Sequence, residues 1–521
     1  MQIEDYDKPA ELRLIEACRN GYDTIFSMER PEKGSADNTI RAGLIRALLL
    51  GTGDCTPPAR GLGIEGAWIT GKLDLAGEAL PVPLGLIHCT LEEDIVLRDC
   101  TLPALYMPGT HLPKLNAQRL QCNGSLHLSD GFQATGPVDL VGAEIDGQLS
   151  CNGGKFLAER KALNCSAVTV GSDVVLSGEF DARRRIFLNR FEARGRIDLN
   201  RAEIAGNLQI SGATLNTGLD AQGMRVRAGF FWRNVTGDGI EVDLIDAHVG
   251  TLVDGPGSWQ SVKMLRLSSF RYDRIESDVD VQERLDWLAK HDASVRPFTP
   301  QPFVQLANVL RRQGMISAVN TVMIKREDLQ RDADMEQAVQ GNDMEQAVQG
   351  NEWWGLFALV MLLRPFLSLP FKWMFGYGHR PAWVLLWIAG ILIITAAFAQ
   401  KIHIHGQFAP TSSVVLTSQD WLDSFPTEPL HPDSPLWRAQ MDAWAQTTSG
   451  RDYTSFSAFL YALDLFIPLD ALGQEKNWAP SAERGWWGEW GHRLRWLVQM
   501  AGWVITAIGA AVVTGLIGRR D

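Results

Sequence analysis

Ala67-Trp-Ile-Thr-Gly-Lys-Leu-Asp-Leu75 returns as Ala143-Glu-Ile-Asp-Gly-Gln-Leu-Ser-Cys151 and again as Ala202-Glu-Ile-Ala-Gly-Asn-Leu-Gln-Ile210. The shared form is small, x, apolar, x, Gly, x, apolar, x, apolar. Looser copies stand at 89–97, 120–128, 168–176 and 224–232. Apolar residues at every second position on both sides of a glycine describe two short strands joined by a corner. One such pair cannot bury its apolar side alone. The copies cluster at intervals of about 20–25 residues, a period at which stacked coils bury continuous ladders of Ile, Leu, Val and Cys. Residues 53–275 are therefore expected to be mainly β: a β-solenoid, and more particularly a right-handed parallel β-helix. Thr, Lys, Asp and Glu of each copy would point outward.

The flanks read differently. Glu11-Leu-Arg-Leu-Ile-Glu-Ala-Cys18 and the apolar stretch 40–50 carry helical spacing, so 1–52 is expected to be a helical cap. Helical spacing returns over 276–333, a connector with two helices around Gln313-Gly314. Then Asp334-Met-Glu-Gln-Ala-Val-Gln-Gly-Asn342 is repeated without change as 343–351. Nine added residues turn a continuous helix by about 180°. A rigid helix would then present its opposite face, so 334–351 is expected to be a tolerant linker.

The last third is membrane-like. Residues 382–399 form an 18-residue run without charge, and 496–518 a run of 23. Each is long enough to cross about 30 Å of hydrocarbon, and spans are expected at 381–401 and 496–518. Of the 18 tryptophans, fourteen follow residue 350, as in the aromatic belts of membrane interfaces. Segment 352–380 contains Arg364 and Pro365 and is expected to lie at the interface. Between the spans, 402–455 reads as an external loop and 473–495 as a second external segment. Segment 456–472, with Phe456-Ser-Ala-Phe-Leu-Tyr-Ala-Leu-Asp-Leu-Phe-Ile-Pro-Leu469, is too short to span and too apolar for a loop. It is expected to be re-entrant or interfacial. Asp464 within it and Asp470 just beyond are the candidate functional carboxylates, because an ionisable group at membrane depth is costly. In a pore Asp464 would face a water-filled lumen; on a surface-lying helix it would face external solvent.

Compartment and partners follow from charge and cysteines. The start, Met1-Gln-Ile-Glu-Asp-Tyr-Asp, is acidic and has no apolar core, so no signal peptide is expected and the solenoid is assigned to the cytosol. Arg364, Lys372, Arg380, Arg519 and Arg520 then flank the spans on the inner side, while Arg484, Arg493 and Arg495 on the outer side run against the positive-inside rule. The seven cysteines form no C-x-x-C pair and read as reduced, buried thiols. A net charge of −12 argues against a nucleic-acid partner.

Chemical motifs are sparse. Gly61-Leu-Gly-Ile-Glu-Gly66 matches G-x-G-x-x-G, but it leads into a β coil and not into the helix a dinucleotide needs. There is no C-x-x-C-H, no G-x-S-x-G and no H-E-x-x-H. His403-Ile-His405 lacks further metal ligands and reads as a solvated pair. Asp74, Asp146 and Asp198 read as a solvated solenoid face rather than a sugar site. No catalytic residue, cofactor or metal is assigned, and enzymatic activity is not expected.

The repeat Gly66-Ala-Trp-Ile-Thr-Gly-Lys-Leu-Asp-Leu75, the helical Pro300-Gln-Pro-Phe303 and Leu310-Arg-Arg-Gln-Gly314, the juxtamembrane Gly376-Tyr-Gly-His-Arg-Pro381, and Leu460-Tyr-Ala-Leu-Asp-Leu-Phe-Ile-Pro-Leu-Asp470 with Gly473-Gln-Glu-Lys-Asn-Trp478 together carry a family resemblance. The chain resembles, over nearly its whole length, a bacterial family of membrane-anchored β-solenoid proteins often catalogued as membrane-associated oxidoreductases. The resemblance implies a cytosolic solenoid joined to a C-terminal anchor, and it supplies no catalytic residues. The leading expectation is a multi-pass protein of the bacterial inner membrane whose solenoid binds a protein or small-molecule ligand. A solenoid-gated two-span channel is the alternative, self-association into a homo-oligomer is compatible with both, and a redox enzyme is the third reading.

Overall fold

The computed structural model describes residues 5–52, 56–181, 183–184, 186–294, 298–340, 383–425, 430–467 and 472–513. Two compact units divide the chain, Met1–Ala333 and Asp334–Asp521. The first is the expected parallel β-solenoid. Leu62, Leu84, Leu105, Leu126, Leu149, Val174, Leu208, Phe230, Leu252 and Ile275 stand in one unbroken parallel register, rung on rung. The step between rungs is one coil, about 4.8 Å. All but Ile275 are fully buried.

Each complete coil has four walls. The first holds the rungs just named. The second runs through Ile69, Leu91, Leu112, Ala134 and Phe156, and the third through Leu73, Ile95, Leu115, Val138 and Leu163. The fourth runs through Leu102, Cys122, Ile145, Val170, Ile204 and Val226. The repeat therefore occurs twice per coil, once from second to third wall and once from fourth to first. Phe132-Gln-Ala-Thr-Gly-Pro-Val-Asp-Leu140 and Phe191-Glu-Ala-Arg-Gly-Arg-Ile-Asp-Leu199 are further copies, on the second and third walls.

The repeat glycine has two different causes. Gly71 has φ 81°, the left-handed corner that glycine permits. Gly124 and Gly147 do not; they are small because coils stack closely. A Cβ on Gly147 would come within 2.8 Å of the Gly124 carbonyl, and one on Gly124 within 2.7 Å of the Pro103 carbonyl. The left-handed corner between third and fourth walls falls instead at Gly77, Asp99, Arg119, Gly142, Ala167, Arg201, Gly223, Asp246 and Ser269. An aspartate three residues before several of these corners sets the turn: Asp74, Asp139, Asp198 and Asp243 each accept the backbone N–H two residues on, at 3.1–3.3 Å.

Both ends are covered. The N-terminal segment holds the expected helices, Pro9–Asn20 and Ala42–Leu49, but also strands Thr24–Ile25 and Thr39–Arg41, which pair with the first coil. The solenoid thus begins inside the expected cap. Fully buried Glu11 ties the two helices together through Arg41, whose Nε and Nη2 donate at 2.7 and 2.6 Å. At the other end, Val281–Ser294 and Gln301–Arg312 lie on the last coil. Arg284 forms a fully buried bidentate pair with Asp254, both bonds 2.6 Å. Gln301, Gln305 and Gln313 donate to the carbonyls of Phe270, Tyr272 and Ile275. These amides occupy acceptors that an edge strand would otherwise expose. Helix Ile316–Gln340 continues through most of the first nonapeptide copy, where a slack linker was expected. The second copy and segment 352–380 lie outside the described residues.

Among the described residues, the second unit has two helices long and apolar enough to cross a membrane, Trp383–Ile404 and Trp486–Ala511. Only 11% and 17% of their apolar windows are buried, which is unlike core helices of a soluble protein. The second, Trp486–Val513 in all, starts ten residues before the expected span. Segment 402–455 is not a loop. Short helices Gln419–Ser424, Leu436–Ala445 and Thr448–Asp452 fold over an aromatic core of Trp421, Trp444, Tyr453 and Trp478. An antiparallel pair, Phe408–Pro410 with Trp478–Pro480, closes it. Elements this short bury aromatic rings without a readable period.

Candidate functional site

The regular solenoid surface breaks on the fourth wall. Its outward column reads Thr169, Glu203, Arg225, His248, Arg271, each one coil from the next. Strands Arg225–Trp232 and His248–Asp254 run on through the corner into the first wall, with a register shift between Val226 and Gly229. The shift bends the wall, as a bulge does. Gly171, Ala205 and Gly250 lie at this bend, and a cleft of about 430 Å³ opens over it. Arg225, Arg227, His248 and Asp273 line it, with Glu203 at one side, and a second opening adds Asp246, Ser269 and Arg271.

Several cations on the solenoid find carboxylates: Lys161 on Asp198 at 2.7 Å, Arg266 on Asp243 at 3.0 Å, Arg196 on Glu241 at 2.9 Å, and Arg119, at a corner, on Asp99 at 2.6 Å. Among the described residues no carboxylate lies within ion-pair distance of Arg225, Arg227 or Arg271, and all three are exposed. His248 stands 3.4 Å from Asp273. Sequence reasoning missed this cleft. The signal was present: Arg225, His248 and Arg271 follow at a constant interval of 23, each after a buried Met224, Ala247 or Phe270.

The sequence candidates take other roles. Asp464 is 3% exposed, so it does not stand open to external solvent as a surface-lying helix would place it. Its two oxygens accept the backbone N–H groups of Leu472 at 3.1 Å and Glu475 at 2.8 Å. Asp470 lies outside the described residues. The Asp464 helix, Ala458–Phe466, packs along both apolar helices. Phe456, before it, stacks on His403. At its other end the Phe466 carbonyl fills the space a Cβ on Gly502 would need. Gly502 is 16 residues into the second apolar helix, roughly 24 Å along it. The chain then returns to Glu475, which pairs with Arg495 at 2.6 Å. The described stretches 456–467 and 472–475 thus meet at Asp464, which clasps them together beside the helix pair.

The remaining motifs resolve in the same way. Gly61 to Gly66 spans strand Leu62–Glu65 and turns into strand Trp68–Thr70, with no helix for a pyrophosphate. His403 stacks on Phe456 and His405 on Trp487, so the imidazoles are engaged by separate rings. Among the described residues no cluster of three metal-ligating side chains occurs. Asp74 and Asp198 shape corners. Burial works to raise the Asp198 carboxyl, but hydrogen bonds from Lys161 and Ser166 outweigh it and hold it below the usual range. Asp146 is exposed. Cys18, Cys89, Cys100, Cys122, Cys151 and Cys165 are buried free thiols, and Cys55 lies outside the described residues. No protein-family model, no curated protein and no solved structure matches the chain.

Proposed function

We propose that the protein is a membrane-anchored recognition platform, multi-pass in the bacterial inner membrane, with a cytosolic solenoid that holds a ligand in its fourth-wall cleft. The observation that carries this reading is the cleft itself, a bend in an otherwise regular wall where Arg225 and Arg227, with Arg271 at the adjoining opening, stand without a carboxylate within ion-pair distance among the described residues. Two weakly buried apolar helices support the anchor. The charge objection to the topology also weakens. Arg484 is 7% exposed and donates to the carbonyls of Gly406 and Phe408, while Arg493 and Arg495 pair with Glu489 and Glu475. These three arginines are spent within the fold and count little as flanking charge.

The test is native mass spectrometry of gently solubilised protein, with Ala205→Trp as the comparison. Ala205 is exposed and lines the cleft, so the indole fills it without entering the core. A bound species carried by wild type and lost from Ala205→Trp supports the platform. Identical spectra overturn it. The clasped stretches beside two apolar helices favour a second reading, a two-span channel in which 456–475 is the re-entrant element and Asp464 its clasp. Single-channel current from the purified full chain in a planar bilayer supports that reading; a silent bilayer removes it.

A further inference from the structure

We propose that the fourth-wall cleft is an oxyanion site, whose ligand carries a phosphate or similarly dianionic group held between Arg225 and Arg271. The inference rests on the platform reading for the location of the site and goes beyond it in naming the chemistry.

The register sets the geometry. Arg225, His248 and Arg271 occupy directly opposed positions on three neighbouring parallel strands. The two arginines therefore leave the wall about 9.6 Å apart at Cα, with the imidazole between them. Two guanidinium forks at that spacing can converge on one tetrahedral or planar dianion, each offering paired N–H donors. Arg225 and Arg271 are two coils apart, and the intervening strand presents His248 rather than a carboxylate, so no acidic side chain stands between the two guanidinium groups. Asp273 is engaged by His248, and neither Glu203 nor Asp246 reaches an arginine within ion-pair distance. Arg225 and His248 line both openings, so Arg227 in the first stands beside the site that Arg225 and Arg271 bound in the second. The carboxylates at its edge set specificity: they repel an anion seated off the Arg225–Arg271 axis, and they suit a ligand with a cationic or hydroxyl-bearing remainder.

Arginine reactivity tests this on the full-length protein. Phenylglyoxal modifies accessible guanidinium groups, and peptide mass mapping reads each arginine separately. The protein is held in nanodiscs of zwitterionic lipid at constant ionic strength, with inorganic phosphate as the probe. Millimolar phosphate is expected to slow modification of Arg225 and Arg271 several-fold while leaving exposed Arg194 and Arg201 unchanged. In Ala205→Trp the phosphate effect at Arg225 should disappear. Nanodiscs containing phosphatidic acid, whose phosphomonoester can carry two charges, form the second arm without added phosphate: protection there assigns the oxyanion to a lipid headgroup, and its absence assigns it to a soluble ligand. Unchanged rates at Arg225 and Arg271 in both arms, or equal slowing of all four arginines, overturns the oxyanion assignment. If native mass spectrometry still finds a species that Ala205→Trp loses, the platform survives that result and only the ligand chemistry falls.

Discussion

At the scale of the residue, the solenoid rests on side chains with no freedom to change character. Leu149 is fully buried between Leu126 and Val174 on the first wall. Leu149→Asp places a carboxylate in a dry ladder, at a cost of several kcal/mol before relaxation. Circular dichroism melting and limited proteolysis should find the variant unfolded or strongly destabilised. The thiols obey the same logic. Burial pushes Cys89 and Cys100 up to about 12. A thiol protonated more tightly in the folded state contributes stability that is complete below its unfolded pKa of about 9 and is lost as pH rises toward 12. Native protein at pH 8 should therefore leave Cys89, Cys100, Cys122, Cys151 and Cys165 unalkylated by iodoacetamide, and all five should react after denaturation. Progressive loss of stability above about pH 9 is expected, read as a falling melting temperature. Inward positions such as Leu149 and Cys151 were legible because alternation alone decides which side a strand residue faces. The corners were not. A left-handed turn at Arg119 or Ala167 is set by backbone geometry that their identities do not announce.

At the scale of the element, the clasped stretches 456–467 and 472–475 separate length from fold. A mostly apolar segment of fourteen residues is visibly too short to span, so a non-spanning element was readable. The clasp was not readable, because Asp464 bonds backbone amides eight and eleven residues on, and amides have no sequence signature. An Asn at 464 keeps one acceptor oxygen and turns an NH2 toward an amide donor. Asp464→Asn should weaken the clasp by about 1–3 kcal/mol. Protease cleavage between Ile467 and Gly473 in detergent is the readout, and it should accelerate while the solenoid fragment keeps its resistance. If cleavage is unchanged, the clasp does not hold the limbs. The doubled repeat teaches the converse. Copies at 132–140 and 191–199 keep the form from the third position on, with Phe where the founding copy has a small residue, and a search for one copy per coil passes over them. The outward Arg225, His248 and Arg271 were hidden for a related reason: charge on a solenoid face reads as solvation until coils are aligned.

At the scale of the whole molecule, the open quantity is which side of the membrane each unit occupies. The polypeptide can be fused where both units have described ends. Arg331 lies on the helix after the solenoid, and Ser412 begins the folded segment between the apolar helices. With the solenoid in the cytosol, alkaline phosphatase fused after Arg331 should be inactive, because its disulfides form only in an oxidising compartment. The same enzyme fused after Ser412 should be active, since one apolar helix then separates it from the solenoid. The buried thiols make the two outcomes physically unequal. In a cytosolic solenoid, Cys151 and Cys165 remain reduced at no risk, and their raised pKa values keep them inert as well. In a periplasmic one, the same chain would have to fold past an oxidising environment with seven reduced cysteines exposed in its unfolded state. The folded 402–455 segment holds no cysteine at all and suits that environment. Activity after Arg331 with silence after Ser412 would reverse the orientation, move the fourth-wall cleft to the periplasm, and confine its ligand to solutes and lipids of that side.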